Sequence, residues 1–115
     1  MTPEIHPRAV DYYVDGRGRE PFREWLDDLK DVSARARIRL RLDRLKLGNF
    51  GNFRSVGEGV CELKIDVGPG YRVYFGLTHD VIVLCGGDKS SQESDIHEAK
   101  KYWMDYRSRQ HANET

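Results

Sequence analysis

The sequence predicts an α+β domain: a mainly antiparallel sheet of about four strands, with two helices in the N-terminal half and one at the C-terminal end. Three observations predict it. Residues 61–66 and 71–76 alternate apolar and polar side chains while 81–85 are apolar throughout, the patterns of two strands with one wet face each and of one strand covered on both faces. Apolar residues recur at helical spacing in three other stretches, around 22–29, 34–45 and 96–106. A length of 115 residues, without internal repeat, low-complexity tract or long linker, fits one domain over 1–115.

The elements follow in order. Ala9 to Val14 carries Val10, Tyr12, Tyr13 and Val14 and ends at the turn Asp15-Gly16-Arg17-Gly18, which reads as an edge strand. Pro21 suits a first helical turn, and Phe22, Trp25, Leu26 and Leu29 follow on one face. The second helix is predicted from a Ser33 cap to about Leu47, stopped by Gly48-Asn49. Here Arg35, Arg37, Arg39 and Arg41 alternate as in a strand, while Ala34, Ile38, Leu42 and Leu45 form a helical stripe. About fifteen unbroken residues is long for a strand, so helix is the prediction. Residues 48–59 read as a glycine-bearing loop. Gly68-Pro69-Gly70 and Thr78-His79-Asp80 then join the three strand runs as antiparallel hairpins. A last helix starts at Ser90 or Ser91, where Ser90 and Glu93 match a capping box, and carries Ile96, Ala99, Trp103 and Tyr106. Residues from about 110 onward are expected to fray.

Composition excludes several function classes. Lys and Arg number 19 against 19 Asp and Glu, so no global field draws the protein to nucleic acid or an acidic membrane, and any basic site is local. No run of 18 apolar residues and no signal-peptide pattern at Met1–Val10 are present, from which a cytoplasmic protein without a membrane partner is expected. Cys61 and Cys85 form neither a zinc knuckle nor a disulfide framework and read as buried thiols. Gly86-Gly87-Asp88-Lys89-Ser90-Ser91 lacks the spacing of a nucleotide-binding phosphate loop. No cofactor or metal is expected.

Chemistry is concentrated in two places. If the apolar faces of both hairpin strands cover one core, Lys64, Arg72 and Tyr74 emerge together on the other side, with Lys89 just past the third strand. A cationic cluster of this kind suits a phosphodiester, because guanidinium and ammonium groups stabilise charge growing on phosphorus. With RNA the substrate's own 2′-hydroxyl is a nucleophile, and the protein need supply only acid, base and positive charge. Ordinary solvated side chains on an exposed sheet face are the alternative. Among His6, His79, His97 and His111 no pair reads as a clustered site, although His79 has a place at the patch's margin. The second concentration is the arginine-rich helix, where residues 35–46 hold six cations against Asp43. It reads either as a solvated face paired with Glu24, Asp27, Asp28 and Asp31 or as a contact for RNA or an acidic partner.

Three ordered motifs now stand out: Gly57-Glu58-Gly59-Val60-Cys61-Glu62-Leu63-Lys64-Ile65-Asp66, Gly68-Pro69-Gly70-Tyr71-Arg72-Val73-Tyr74-Phe75 and Gly86-Gly87-Asp88-Lys89-Ser90-Ser91-Gln92. With them the chain resembles a RelE/ParE-superfamily toxin of the HigB-like, addiction-module-killer type, over nearly its whole length from the Trp25 helix to the Trp103 helix. The resemblance implies a RelE-like, microbial-RNase-like sheet flanked by helices. It implies a type II toxin–antitoxin system whose toxin cleaves mRNA on the ribosome without a metal, leaving 2′,3′-cyclic phosphate ends.

Its implied partners are the ribosome, mRNA and a helix-turn-helix (HigA-like) antitoxin, with a toxin–antitoxin hetero-oligomer on operator DNA. Carried onto this sequence, the functional cations are Lys64, Arg72 and Lys89. Arg72 is then expected to meet transition-state phosphate charge, Lys64 to orient substrate or transfer a proton, and Lys89 to contact phosphate or protonate the leaving group. Tyr74 is expected to stack or relay a proton. Arg35, Arg39 and Arg54 are the expected RNA or ribosome contacts. Two other readings keep the fold: a ParE-like inhibitor of DNA gyrase acting by binding, and a non-toxic module that only pairs with its antitoxin.

Overall fold

The computed structural model describes residues 8–114. It is an α+β fold: β1 (Val10–Tyr12), α1 (Pro21–Asp28), α2 (Val32–Lys46), β2 (Phe53–Gly57), β3 (Val60–Ile65), β4 (Tyr71–Leu77), β5 (Val81–Gly87), a 3-10 turn at Lys89–Ser91 and α3 (Gln92–Glu114). The strands form one sheet in the order β1-β5-β4-β3-β2. The pairings β2–β3, β3–β4 and β4–β5 are antiparallel, and β1 pairs with β5 in parallel. No helix among the described residues is long and apolar enough to cross a membrane.

The sheet has two covered faces. On one, Ala34, Ile38, Leu42 and Leu45 of α2 join Phe22 and Leu26 of α1 against Leu63, Ile65, Val73, Phe75, Val81 and Val83. The helical stripe of α2 is buried in full, none of its four residues being more than 3% exposed. Burying each of Ile38, Leu42 and Leu45 contributes about 1.5–3 kcal/mol, enough to override the strand-like alternation of the arginines. On the other face α3 lays Ala99 and Trp103, flanked by Ile96, Tyr102 and Tyr106, over Val60, Tyr74, Ile82, Leu84 and Cys85. A register shift between β4 and β5 pairs Tyr74 with Cys85 and Phe75 with Val83, leaving Leu84 as the extra residue of a bulge. Leu84 and Cys85 therefore both turn toward α3.

Each face also has one tryptophan laid on a strand glycine. A Cβ at Gly76 would overlap the Trp103 ring, and one at Gly86 would overlap the Trp25 ring. The absent side chain lets each helix approach the sheet closely.

Several expectations change. The sheet has five strands, not about four, because residues 53–57 of the expected loop pair with β3. This edge strand is short, mostly exposed and ends in glycine, so it lacks an apolar alternation. The hairpin strands are covered on both faces over most of their length, with Lys64 the exposed exception on β3. Every residue of β4 from Tyr71 to Gly76 is buried, since α3 covers the side on which Lys64, Arg72 and Tyr74 were expected to emerge. Helix α2 is capped by Asp31, whose carboxylate accepts from Ala34 N, and not by Ser33. The capping box before α3 is formed by Asp88 and Ser91 rather than by Ser90 and Glu93. Helix α3 runs to Glu114. Cys85 is buried, as expected, and Cys61 partly so.

Candidate functional site

The hairpin register builds the site. In β3 and β4 Lys64 faces Arg72 and Glu62 faces Tyr74, and β2 sets Arg54 opposite Glu62. Strand alternation sends all five side chains to the α3 side. There α3 begins only at Gln92, so the end of this face holding Lys64 and Arg72 stays open. The result is a pocket of about 270 Å³ lined by Asn52, Phe53, Arg54, Glu62, Lys64, Arg72 and Gln92.

Glu62 lies at its centre, 4% exposed. Its Oε1 accepts from Arg54 Nε at 2.9 Å, and its Oε2 accepts from Tyr74 OH at 3.0 Å and Gln92 Nε2 at 2.9 Å. Arg72 Nε stands 3.6 Å from the same Oε2, an ion-pair distance without a hydrogen bond. Arg72 is itself 7% exposed and donates from Nη1 to the Gly70 carbonyl at 2.8 Å. Gly70, in the left-handed region at φ 79°, lies between Arg72 and Lys89: a Cβ there would be 3.4 Å from Arg72 Nη1 and 3.9 Å from Lys89 Cβ. Lys89 is exposed on the 3-10 turn, and Lys64 is exposed with Asp66 at 3.6 Å.

Electrostatics fix the protonation states. Burial pushes the Glu62 carboxyl up, but hydrogen bonds from Arg54, Gln92 and Tyr74, with the charge of Arg54, outweigh it and hold the group below the ordinary range. Burial, then the hydrogen bond to Glu62 and its charge, push the Tyr74 phenol far up, so it stays neutral. Arg54 and Arg72 thus share the Glu62 carboxylate, Lys64 is paired with the exposed Asp66, and Lys89 lies beyond the pocket's lining, on the far side of Gly70 from Arg72. Such a pocket can take an anion with two or more oxygens, carboxylate or phosphate, which a guanidinium meets bidentately.

Of the residues expected at the site, the structure gathers Lys64, Arg72, Lys89 and Arg54. Tyr74 lies beneath the pocket with no exposed surface, so it offers no ring face for a base to stack on. Arg39 faces a separate cleft of about 400 Å³ between α1 and α2, and Arg35, on the same helix, lies on the opposite side of the sheet. Among the described residues no ion pair joins the acidic run 24–31 to the arginines of α2. Glu24 pairs with Arg19 instead, and Asp31 caps the helix. His79 turns the chain beyond Leu77, at the far end of β4 from Arg72, and so leaves the margin of the patch. His97 and His111 are exposed on α3, and His6 lies outside the described residues.

Sequence reasoning passed over Glu62, Gln92 and Arg41. Alternation did put Glu62 on the face of Lys64, but a glutamate there reads as surface. Arg41 alone among the α2 arginines braces the site from behind, donating to the carbonyls of Lys64 at 2.9 Å, Asn52 at 3.3 Å and Phe50 at 3.4 Å. These are β3 and loop acceptors past the end of the β2 pairing, a position that no local pattern reveals.

Over 81 residues the chain is 52% identical to an uncharacterized protein of Haemophilus influenzae, a match covering 69% of this chain and 82% of that one. No protein-family model and no solved structure matches it.

Proposed function

We propose that this chain, which belongs to the same family as that Haemophilus influenzae protein, is the toxin of a type II toxin–antitoxin pair. In this reading it is a HigB-like member of the RelE/ParE superfamily, a metal-independent endoribonuclease that cuts mRNA on the ribosome. A helix-turn-helix antitoxin neutralises it and joins it in a hetero-oligomer on operator DNA. The fold that goes with this reading is RelE-like. It is supported by the consecutive antiparallel run β2-β3-β4-β5 with helices on both faces.

One observation carries the reading: Lys64 and Arg72 sit directly across from each other on adjacent strands, with Arg54 and Lys89 beside them, around an open pocket. Like charges directly opposite each other are destabilising; Asp66 beside Lys64 and Glu62 beside Arg72 offset part of that repulsion, and an anion bound between the two cations would relieve more of it. A phosphodiester whose own 2′-hydroxyl attacks phosphorus needs what this pocket offers, preorganised positive charge at the equatorial oxygens. Arg72 is the group best placed for that charge, and Lys64 and Lys89 are the exposed ammonium groups within reach of the scissile region. The neutral, buried Tyr74 acts through Glu62.

The test is a cell-free translation reaction with the purified protein, with mRNA 3′ ends mapped by position and ribosome-free RNA run in parallel. Cuts in codon register that require ribosomes are expected. Arg72→Ala, still folded by circular dichroism, is expected to lower cleavage by about 100- to 1,000-fold, the range for removing one preorganised transition-state donor. Intact mRNA with continuing translation overturns the nuclease reading, and a supercoiling assay with DNA gyrase then separates the ParE-like inhibitor from a pairing module.

A further inference from the structure

We infer that Glu62 is a positioning residue of this pocket: it sets the guanidinium groups of Arg54 and Arg72 at a fixed spacing for one phosphate, with Tyr74 and Gln92 as its struts. The inference rests on the phosphodiester reading of the pocket and adds to it the device that holds the cations in place.

Three observations carry it. First, both oxygens of Glu62 are engaged, by donors from β2, β4 and α3, which leaves the carboxylate little freedom to turn toward a ligand. Second, Arg72 is held at two points, by the Gly70 carbonyl at Nη1 and by the Glu62 charge beside Nε. Among the described residues its Nη2 makes no hydrogen bond and is left for an incoming oxygen. Third, a buried carboxylate between two arginines is an expensive way to close a sheet face. Apolar side chains of similar volume are commonly neutral or better for stability, and the middle of this face is closed by apolar residues. A buried carboxylate that carries that cost fits a requirement of the site rather than of the core.

The inference makes a prediction opposite in sign to simple charge counting. Glu62→Gln makes the protein one unit more positive, which by long-range electrostatics tightens binding of an anion. If Glu62 positions the arginines, the same variant binds the anion less tightly.

The measurement is a titration of the folded protein with an uncleavable 2′-O-methyl RNA hexanucleotide, read from amide NMR shifts in β3 and β4 at fixed salt. The wild type is expected to shift at Lys64, Arg72 and their neighbours. Glu62→Gln is expected to weaken binding about tenfold, of the order of losing one charge-assisted contact. Tyr74→Phe keeps the ring, lies out of reach of any ligand and removes one strut. It is expected to weaken binding about threefold, and it serves alone where Glu62→Gln does not fold. A purely structural role lowers the unfolding midpoint in both variants and leaves the affinity of the folded protein unchanged.

Equal or tighter binding by folded Glu62→Gln, or by Tyr74→Phe where only that variant folds, overturns the inference, as does a wild type that shows no shifts. Weakened binding in the variants alongside uncut mRNA in the translation assay leaves the positioning role standing and removes the nuclease. Codon-register cuts with unchanged affinity do the reverse.

Discussion

The two faces of the sheet are closed by different chemistry. Beneath α1 and α2 the contact is apolar from Phe22 across to Ile65, whereas beneath α3 an apolar middle gives way at one end to Arg54, Glu62, Tyr74 and Gln92. Apolar burial returns free energy wherever it occurs, while a buried ion pair roughly breaks even against its desolvation. Stability is thus expected to rest more on the first face, and the polar, open end of the second is where the proposed anion site lies.

The largest effect that tests this division is on the apolar face. Phe22 is 1% exposed, and its ring stacks on Tyr12 and meets Trp25. Phe22→Ala is expected to cost about 3–5 kcal/mol in urea unfolding while the surviving folded molecules bind the RNA probe as the wild type does. A loss of affinity per folded molecule would break the comparison. Next come the two glycine contacts, which ask whether the faces are packed alike. Gly86→Ala meets Trp25 on the α1 side and Gly76→Ala meets Trp103 on the α3 side. Each is expected to cost about 1–3 kcal/mol, the range for overpacking. A neutral Gly76→Ala would show that α3 moves freely over the sheet and sharpen the contrast further.

Much of this was legible in the sequence, and the failures have physical causes. The stripe Ala34, Ile38, Leu42 and Leu45 located α2 because four residues on one face of a helix have one explanation, a core. The hairpins were legible from their turns, and Lys64 and Arg72 came out on one face because side-chain alternation along a strand is obligatory. That this face was covered was not legible. Alternating Glu62, Lys64 and Arg72, Tyr74 looks the same whether water or a polar network lies above it, and only the arrival of α3 from thirty residues away, through Gln92, decides which. The edge strand β2 and the parallel pairing of β1 with β5 left no trace for a related reason. Val10–Tyr12 and Val81–Val83 are distant in sequence, and their register depends on the intervening chain. Arg54 was named without its reason, the Glu62 carboxylate across the strand pair.

The smallest effect compares two carboxylates on the α3 side, shifted in opposite directions. Asp95 is pushed up, by burial first and then by the charges of Asp88 and Glu98, against a hydrogen bond from the Ser91 hydroxyl that pulls it down. Glu62 is held down by its three donors. The signs follow from linkage. A carboxyl that holds its proton more tightly when folded contributes less stability as pH rises from the ordinary carboxylate range through its raised value. One that holds it less tightly contributes stability at neutral pH that is lost as pH falls through its ordinary range and below. Asp95→Asn is therefore expected to be more stable than the wild type at pH 7, by less than about 1 kcal/mol once solvent screening of this half-buried group is allowed for. The gain should shrink on acidification. Glu62→Gln is expected to be less stable than the wild type at pH 7, with a difference that also narrows toward low pH. Urea unfolding of both variants at pH 7 and at pH 4 measures the pair. An Asp95→Asn protein destabilised at pH 7 would mean that the Ser91 contact outweighs burial, and that the base of α3 is fixed by the same kind of charged hydrogen bond that organises the pocket.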